Sequence, residues 1–243
     1  MNIDKNWVET NYNGEKSFVI PDTVTSIGED AFAYCKNLQK ITIPNSVTKI
    51  SNYAFYDCQS LKSIIIPDGV TSIGKYAFNN CKSLKSITIP DSVTKIGDCA
   101  LHGCTSLKNI FIPNGVTSIA HGFFWDCKSL ESICIPDGVM SIDSRAFYCC
   151  TSLKSITIPD GVMSIGNRAF YYCTSLKSIT IPDSVTSISK KAFYGCLSLE
   201  IISIPDSVVN ISNDAFLGCK TIITYKENIG NHDKDDNRFN LGL

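Results

Sequence analysis

Cysteine and histidine are the residue types in this sequence with the clearest capacity for chemistry, as nucleophiles or as metal ligands. The chain has 243 residues, of which 12 are cysteines and 3 are histidines. One segment, Cys99-x-x-His102-x-Cys104, has the residue types of a zinc site. It lacks a second pair of ligands at zinc spacing, and Cys104 also belongs to a regular cysteine series. We therefore expect no metal ion and no other cofactor.

Nine of the cysteines recur at a constant interval of 23 residues. They are Cys35, Cys58, Cys81, Cys104, Cys127, Cys150, Cys173, Cys196 and Cys219. Three interpretations are open for this series: a zinc cluster, disulfides, or buried thiols. The constant interval favours a ladder of reduced, buried thiols, because free cysteine packs like a small hydrophobic side chain. Disulfides are the main alternative, particularly for an extracellular protein.

Aspartate forms a second series with the same interval. Its members are Asp22, Asp68, Asp91, Asp137, Asp160, Asp183 and Asp206. A row of carboxylates suggests calcium, but calcium needs about 6–8 converging oxygen ligands. Each aspartate follows a proline, where its side chain is expected to bond the backbone of a turn. We therefore favour a role in the turn over a calcium site.

Other arrangements that support catalysis or nucleic-acid binding are missing from the sequence. No Ser/His/Asp or Cys/His arrangement recurs, no glycine-rich phosphate loop is present, and the three histidines have no clear partners. The net charge of −1 and the lack of a recognition motif argue against nucleic acid as a partner. No apolar run approaches the ~18 residues of a membrane span, so we expect no membrane insertion. We expect a protein that is not an enzyme.

The prolines show which elements must position these residues. All nine fall 23 residues apart, at Pro21, Pro44, Pro67, Pro90, Pro113, Pro136, Pro159, Pro182 and Pro205. The unit reads Leu-x-x-Ile-x-Ile-Pro-Asp-x-Val-x-x-Ile-Gly-x-x-Ala-Phe-x-x-Cys-x-Ser, and residues 61–83 match it at every specified position. A period of this length is typical of a solenoid, in which stacked units bury one another.

The first half of the unit predicts a strand followed by a turn. Ile64 and Ile66 flank Ile65, so the two outer side chains of a short strand point to the same side. Pro67 ends the strand because it has no backbone N–H to donate. Residues 67–69 (Pro-Asp-Gly) suit a type I turn with proline as its second residue.

The second half of the unit returns to the core. Val70 and Ile73 turn inward from a second short extended piece, and a single helical turn places Ala77 and Cys81 inward. Burial of each large apolar side chain stabilises the folded state by about 1.5–3 kcal/mol. Ordering the backbone costs about 1–2 kcal/mol per residue, so one unit is unstable and stacking is required.

The repeats divide the chain into three parts. Residues 1–17 carry no repeat signature and are expected to form an N-terminal cap segment. Residues 18–225 are expected to form the solenoid. Residues 226–243 are polar, and we predict a disordered tail there.

The pattern Leu-x-x-Ile-x-Ile-Pro-x-x-Val-x-x-Ile-Gly-x-x-Ala-Phe-x-x-Cys closely resembles the BspA-like leucine-rich-repeat family, over about residues 18–225. The resemblance implies a leucine-rich-repeat solenoid: a right-handed, curved stack of about nine 23-residue units. It implies a parallel β-sheet on the concave face and short helical or irregular turns on the convex face. Members are often described as surface or secreted proteins that mediate adhesion and protein binding, and no catalytic residues come with the family. The resemblance therefore implies a protein partner.

The outward position of the predicted strand is the first candidate binding surface. It holds mainly small polar residues, and Phe111 is the clear exception. An exposed phenylalanine is a suitable anchor for a protein partner, and Ile65 and Cys134 at equivalent positions extend this surface. The alternative is an isolated apolar surface residue, which needs no functional explanation.

A second candidate surface lies just after the Ala-Phe pair of the unit. Trp125, Tyr148, Tyr171 and Tyr194 take this position in four consecutive repeats, which predicts one aromatic stripe on the convex side. Aromatic rings with polar tips suit protein or glycan surfaces. They equally suit stacking on one another, and we favour stacking. The fifth repeat is irregular, since residues 121–124 read His-Gly-Phe-Phe.

Two functions are compatible with this architecture. The first is a non-enzymatic protein–protein interaction module in the cytoplasm, supported by the repeats, the thiols, and the lack of a visible signal peptide or anchor. The second is a surface-exposed or exported adhesin that binds host or matrix proteins and leaves the cell by a non-standard route, which rests on the resemblance. Open sheet edges suggest either a monomer or an edge-to-edge homodimer.

Overall fold

The structure, a computed structural model, describes residues 1–225 of the chain. Short strands dominate this part of the chain, and its one helix lies near the N-terminus. In chain order the elements are β1 (Asn2–Ile3), α1 (Lys5–Asn11), β2 (Ser17–Val19), β3 (Ser26–Ile27), β4 (Lys40–Thr42), β5 (Lys49–Ile50), β6 (Ser63–Ile65), β7 (Ser72–Ile73), β8 (Ser86–Thr88), β9 (Lys95–Ile96), β10 (Ser118–Ile119), β11 (Ser132–Cys134), β12 (Ser141–Ile142), β13 (Ser155–Thr157), β14 (Ser164–Ile165), β15 (Ser178–Thr180), β16 (Ser187–Ile188), β17 (Ile201–Ile204), β18 (Asn210–Ile211) and β19 (Ile222–Tyr225). The predicted tail, residues 226–243, lies outside the described residues.

The strands form two layers along the stack of repeats, and the strands within each layer are parallel. The front sheet contains the strands that precede the repeat prolines, except at Pro113, together with the last strand β19, in the orders β2-β4-β6-β8 and β11-β13-β15-β17-β19. The back sheet contains the short strand after the turn, in the orders β1-β3-β5-β7-β9 and β10-β12-β14-β16-β18. Partners are one repeat apart, as in Ser63 beside Ser86. The predicted solenoid is confirmed, with about ten turns because both ends add a partial unit.

The predicted core is confirmed within each unit. Ile64 and Ile66 are buried while Ile65 between them is exposed, as the alternation of a strand requires. The equivalent residues of the other repeats follow this pattern, and one continuous apolar core joins all the units. Stability of this kind depends on contacts between neighbouring repeats, because a single unit has no core of its own.

The turn after each front strand begins one residue later than we predicted. The backbone N–H of Val70 donates to the carbonyl of Pro67 at 3.0 Å, so proline is the first residue of the turn and not the second. The same bond joins Pro44 to Val47 and Pro90 to Val93. Proline fits this place because the turn uses its carbonyl and does not need a backbone N–H.

The predicted helical turn around Ala77 and Cys81 is wrong, although both side chains do point inward. Tyr76 and Asn80 take left-handed backbone conformations, with φ of 55° and 57°, and these conformations interrupt a helix. The resulting bends let one repeat bond the next, as in Phe78 N–H to the carbonyl of Ala100 at 2.8 Å. The turn side is therefore joined by its own ladder of backbone hydrogen bonds.

The cysteine series is a ladder of thiols that satisfies buried carbonyls. The Sγ–H of Cys58 donates to the carbonyl of Phe32 in the preceding repeat at 3.1 Å, and that carbonyl also accepts the N–H of Cys35. The same thiol bond recurs in the other ladder cysteines from Cys81 to Cys219, with distances of 2.9 to 3.3 Å. All twelve cysteines are free thiols. A hydrogen-bonding but otherwise apolar side chain suits this position.

Both sheets are interrupted at one junction, between the fourth and fifth repeats. Strands β8 and β9 end one half of each layer, and no strand pairing within residues 1–225 joins them to the next repeat. The back-sheet bonds expected from Thr117 to Thr94 and from Ala120 to Ile96 are missing, whereas the equivalent bonds occur at the neighbouring junctions. The turn side stays bonded across this junction, for example from Gly103 N–H to the carbonyl of Trp125 at 2.7 Å.

The N-terminal segment closes the first repeat. Strand β1 pairs with β3 and so adds one strand to the back sheet. Asp4 caps the following helix by accepting a hydrogen bond from the N–H of Trp7 at 2.9 Å. The rings of Trp7 and Tyr12 meet the ring of Phe18 edge-on, which shields the otherwise open end of the core.

Candidate functional site

The outward row of the front sheet carries the exposed apolar residues predicted from the sequence. Phe111 is 58% exposed and Ile65 is 70% exposed, while Cys134 is an exposed thiol. Most other members of the row are exposed serine or threonine, with Val19 as the apolar residue of the first strand. The row is therefore polar, with a few apolar side chains along its length.

Phe111 lies at the interruption of the front sheet. Its backbone forms an isolated bridge with Cys134 on one side, whereas the four-stranded half of the front sheet ends at Thr88 on the other side. The phenyl ring thus stands beside an exposed thiol and next to an unpaired strand edge. Aromatic side chains are enriched at protein interfaces, so Phe111 is a suitable anchor for a partner.

The four aromatic residues of the turn side lie in one continuous stack. Ring centroids are 5.1 Å apart for Trp125 and Tyr148, 4.7 Å for Tyr148 and Tyr171, and 4.9 Å for Tyr171 and Tyr194. His102 extends the stack, with its ring 4.7 Å from that of Trp125. His102 was not predicted as part of the stripe, although it takes the same repeat position as the other four residues.

Cations border this aromatic stack on one side. Arg145 lies over the ring of Trp125 at 5.4 Å, and Lys191 lies over the ring of Tyr194 at 5.3 Å. Both cations come from the repeat position just before alanine, which the sequence pattern left unspecified. Burial raises the pKa of Tyr148 and Tyr171, so their hydroxyl groups stay protonated at neutral pH. The stack therefore presents hydroxyl groups and ring edges beside positive charge.

The segment considered for zinc does not bring its three side chains together. Cys104 is buried and bonds the carbonyl of Phe78, while His102 lies in the aromatic stack. Cys99 donates its thiol to the carbonyl of His121 at 3.6 Å. In the described part of the chain, no group of three His, Cys, Asp or Glu side chains has the arrangement needed to hold a metal ion.

The described residues contain no helix that is long and apolar enough to cross a membrane. The helix α1 has seven residues and belongs to the N-terminal end of the stack.

Known proteins resemble this chain in sequence and in fold. A family described as "BspA type Leucine rich repeat region (6 copies)" matches residues 10–128 and 94–223. A leucine-rich repeat protein from Bacteroides ovatus ATCC 8483 is 37% identical, with a TM-score of 0.80 over 86% of this chain and 55% of that chain. This chain thus spans about half the length of the B. ovatus protein. Among curated proteins, none matches the chain.

Two further solved structures share the fold. The T. pallidum leucine-rich repeat protein is 30% identical, with a TM-score of 0.63 over 77% of this chain and 79% of that chain. A leucine-rich repeat protein from Eubacterium ventriosum ATCC 27560 is 27% identical, with a TM-score of 0.67 over 88% and 68%.

Proposed function

Because the chain belongs to the BspA-type leucine-rich-repeat family, we propose that it is a non-enzymatic module that binds a protein partner through its front sheet. Proteins of this family are in general non-enzymatic repeat proteins that serve as protein-interaction or surface-adhesin modules. The observation that carries the proposal is the exposed ring of Phe111 at the interruption of the front sheet. The inward positions of the repeats are used for packing, so the outward row is the part free to contact a partner.

The chemistry of the front row suits a protein surface. Phe111 and Ile65 provide apolar anchors, and the serine and threonine side chains between and beyond them provide hydrogen-bonding groups. A few apolar anchors within a polar surround are typical of protein interfaces, in which a small number of residues supplies most of the binding free energy. Cys134 is the bridge partner of Phe111 and extends this surface into the following repeat.

The turn-side aromatic stack is the second surface that we assign to a protein partner. Trp125, Tyr148, Tyr171 and Tyr194 are all partly exposed, so each ring keeps an accessible edge despite its stacked neighbours. Tyrosine, tryptophan and arginine are the residue types enriched at protein interfaces.

Replacement of Phe111 tests the proposal. We expect Phe111→Ser to abolish capture of a partner that the wild-type protein captures from host extracts, because the central anchor is lost. The melting temperature should change little, since the side chain is exposed. Val19→Ser is the matched control, because Val19 is an exposed apolar residue of the same row, four repeats away. Equal capture by the Phe111→Ser protein would contradict the proposal.

The free thiols support a reducing compartment, and we propose that the protein works inside the cell. Twelve unpaired cysteines, including the exposed Cys134, are typical of proteins kept reduced. The test is labelling of intact host cells with a membrane-impermeant amine reagent. Labelling after lysis alone agrees with an intracellular module, whereas strong labelling of intact cells favours the adhesin.

A further inference from the structure

We propose that the turn side of the first four repeats carries a binding site for a neutral oligosaccharide, separate from the front sheet. The site is a cleft of about 490 Å³, a volume within the usual range for small-molecule sites. It lies beyond the N-terminal end of the aromatic stack, where His102 is the residue shared by the stack and the cleft.

Four tyrosine rings form the walls of the cleft. Tyr53 and Tyr76 stack in parallel with centroids 5.1 Å apart, and Tyr56 meets Tyr53 edge-on at 5.8 Å. Tyr34 meets Tyr56 edge-on at 5.4 Å and is 57% exposed, so most of its ring is open to solvent. Open aromatic faces attract the C–H faces of sugar rings through their negative π faces.

The remaining lining residues are hydrogen-bonding groups. They are Asp30, Asn79, Asn80 and His102. Amide, carboxylate and imidazole groups pair well with hydroxyl groups, which both donate and accept. Among the described residues no aliphatic side chain and no lysine or arginine lines this cleft. An apolar peptide anchor would lack aliphatic walls there, and an anionic ligand would meet the carboxylate of Asp30 without a compensating cation.

Asn79 is the residue that most clearly points to a ligand. Its side chain is 3% exposed, and its Nδ2 donates to Nδ1 of His102 at 2.8 Å. The Asn79 Oδ1 atom has no hydrogen-bond partner within residues 1–225, and it is not sealed from solvent. Because no other described residue bonds this oxygen and solvent can reach it, it is free to accept a hydrogen bond from a hydroxyl group that enters the cleft.

His102 is the second residue of the cleft that can hydrogen-bond a ligand. Burial lowers its pKa, so the ring is neutral at physiological pH. A bond from the Asn79 amide N–H to Nδ1 requires the His102 tautomer whose proton lies on Nε2, and in that tautomer Nε2 can donate to a ligand. Asn79 and His102 together therefore offer one acceptor and one donor, which suits a pair of hydroxyl groups on a sugar.

The equivalent positions of later repeats differ, so the site is confined to the first half of the turn side. Where Tyr53 and Tyr76 occur, repeats six to eight have Arg145, Arg168 and Lys191. Tyr172 is the equivalent of Tyr34, since both precede a ladder cysteine, are exposed, and have positive φ. This pair provides a matched control.

Calorimetric titration of the full chain with neutral tetrasaccharides tests the proposal. The probes are maltotetraose, cellotetraose, mannotetraose and chitotetraose, and we expect saturable binding of at least one with a Kd of about 1 mM or tighter. Tyr34→Ala and Asn80→Ala should each weaken that binding by about tenfold or more, and Tyr172→Ala should leave it unchanged. Tryptophan fluorescence should also change on binding, because the Trp125 ring is 4.7 Å from that of His102.

Three results would overturn the proposal: no saturable binding of any probe, an equal loss of affinity in the Tyr172→Ala protein, or tighter binding of a sulfated tetrasaccharide than of its neutral parent. Circular dichroism confirms that the three variants are folded, so that a loss of binding is not mistaken for unfolding. The outcome is independent of the front-sheet proposal, because Phe111 is not part of the cleft.

Discussion

The ring of Phe123 packs against the ring of Phe124 with centroids 4.4 Å apart, at a position where the other eight repeats have alanine. Phe123 is fully buried, so an entire additional ring is enclosed in the core. The preceding repeat has Leu101 where the others have the core phenylalanine, and the volume lost by this change is smaller than the volume of the ring that Phe123 adds. The backbones are in contact, since Leu101 N–H donates to the carbonyl of Phe123.

This added volume coincides with the interruption of both sheets. Protein cores are close-packed, so an additional ring has to be accommodated by displacement of neighbouring elements. The turn-side bonds persist across the junction, and the strands are the elements that separate. Ile96, at the edge of the gap, is only partly buried, whereas Ile73 and Ile119 on either side are buried. We infer that Phe123 causes the separation.

The double variant Phe123→Ala, Leu101→Phe should therefore close the sheets. Phe123→Ala alone should destabilise the protein by about 3–5 kcal/mol, because it leaves a cavity. Leu101→Phe alone should lower the free energy of unfolding by about 1–3 kcal/mol, because it overpacks the core. Together the two substitutions restore the regular repeat. The double variant should therefore lose less unfolding free energy than the sum of the two single losses. Urea unfolding of the three variants measures this coupling.

Amide exchange provides the structural readout of the same prediction. The N–H groups of Thr117 and Ala120 have no partner in the preceding repeat and should exchange rapidly in the wild-type protein. In the double variant they should be protected as strongly as Met140 and Asp143, which already bond the preceding repeat. Rapid exchange of Thr117 in a stable double variant would show that Phe123 does not cause the interruption.

The sequence predicted the features that repeat and missed those that depend on neighbours. The inward residues Ile64 and Ile66 and the exposure of Ile65 follow from alternation within one strand. The sheet interruption could not be predicted, because it depends on how three successive repeats share the volume of Phe123. The tyrosine cleft was missed because the position of Tyr53 and Tyr76 varies too much along the chain to stand out as a series.

The thiol ladder makes stability depend on pH in the alkaline range. Burial is the main cause that raises the pKa of six ladder thiols above the ordinary value of 9.0: Cys58, Cys81, Cys104, Cys127, Cys150 and Cys173. In the unfolded chain these thiols lose their protons from about pH 9 upward, whereas the folded protein keeps them. The unfolded state then binds fewer protons, so the free energy of unfolding falls as pH rises above about 9.

Cys104→Ser measures the contribution of one ladder thiol to this pH dependence of stability. Serine can donate the same hydrogen bond to Phe78 but does not titrate in this range. With reductant present, urea unfolding between pH 8 and 10.5 should show a pH slope that is shallower than that of the wild type. The difference should approach about 1.4 kcal/mol per pH unit above the unfolded pKa. Identical slopes would mean that Cys104 ionises equally in both states.

The aromatic stack should stabilise the turn side through contacts between neighbouring repeats. Tyr171 stacks on Tyr148 at 4.7 Å and on Tyr194 at 4.9 Å, so Tyr171→Ala removes two parallel ring contacts. A double-mutant cycle with Tyr148→Ala should give a coupling free energy of about 0.5–1.5 kcal/mol, measured by urea unfolding. The same cycle between Tyr171 and Tyr34, which lie six repeats apart along the chain, should give a coupling near zero. If Tyr148 and Tyr171 also prove uncoupled, the row has no stabilising role, and its exposed edges are then explained by partner binding alone.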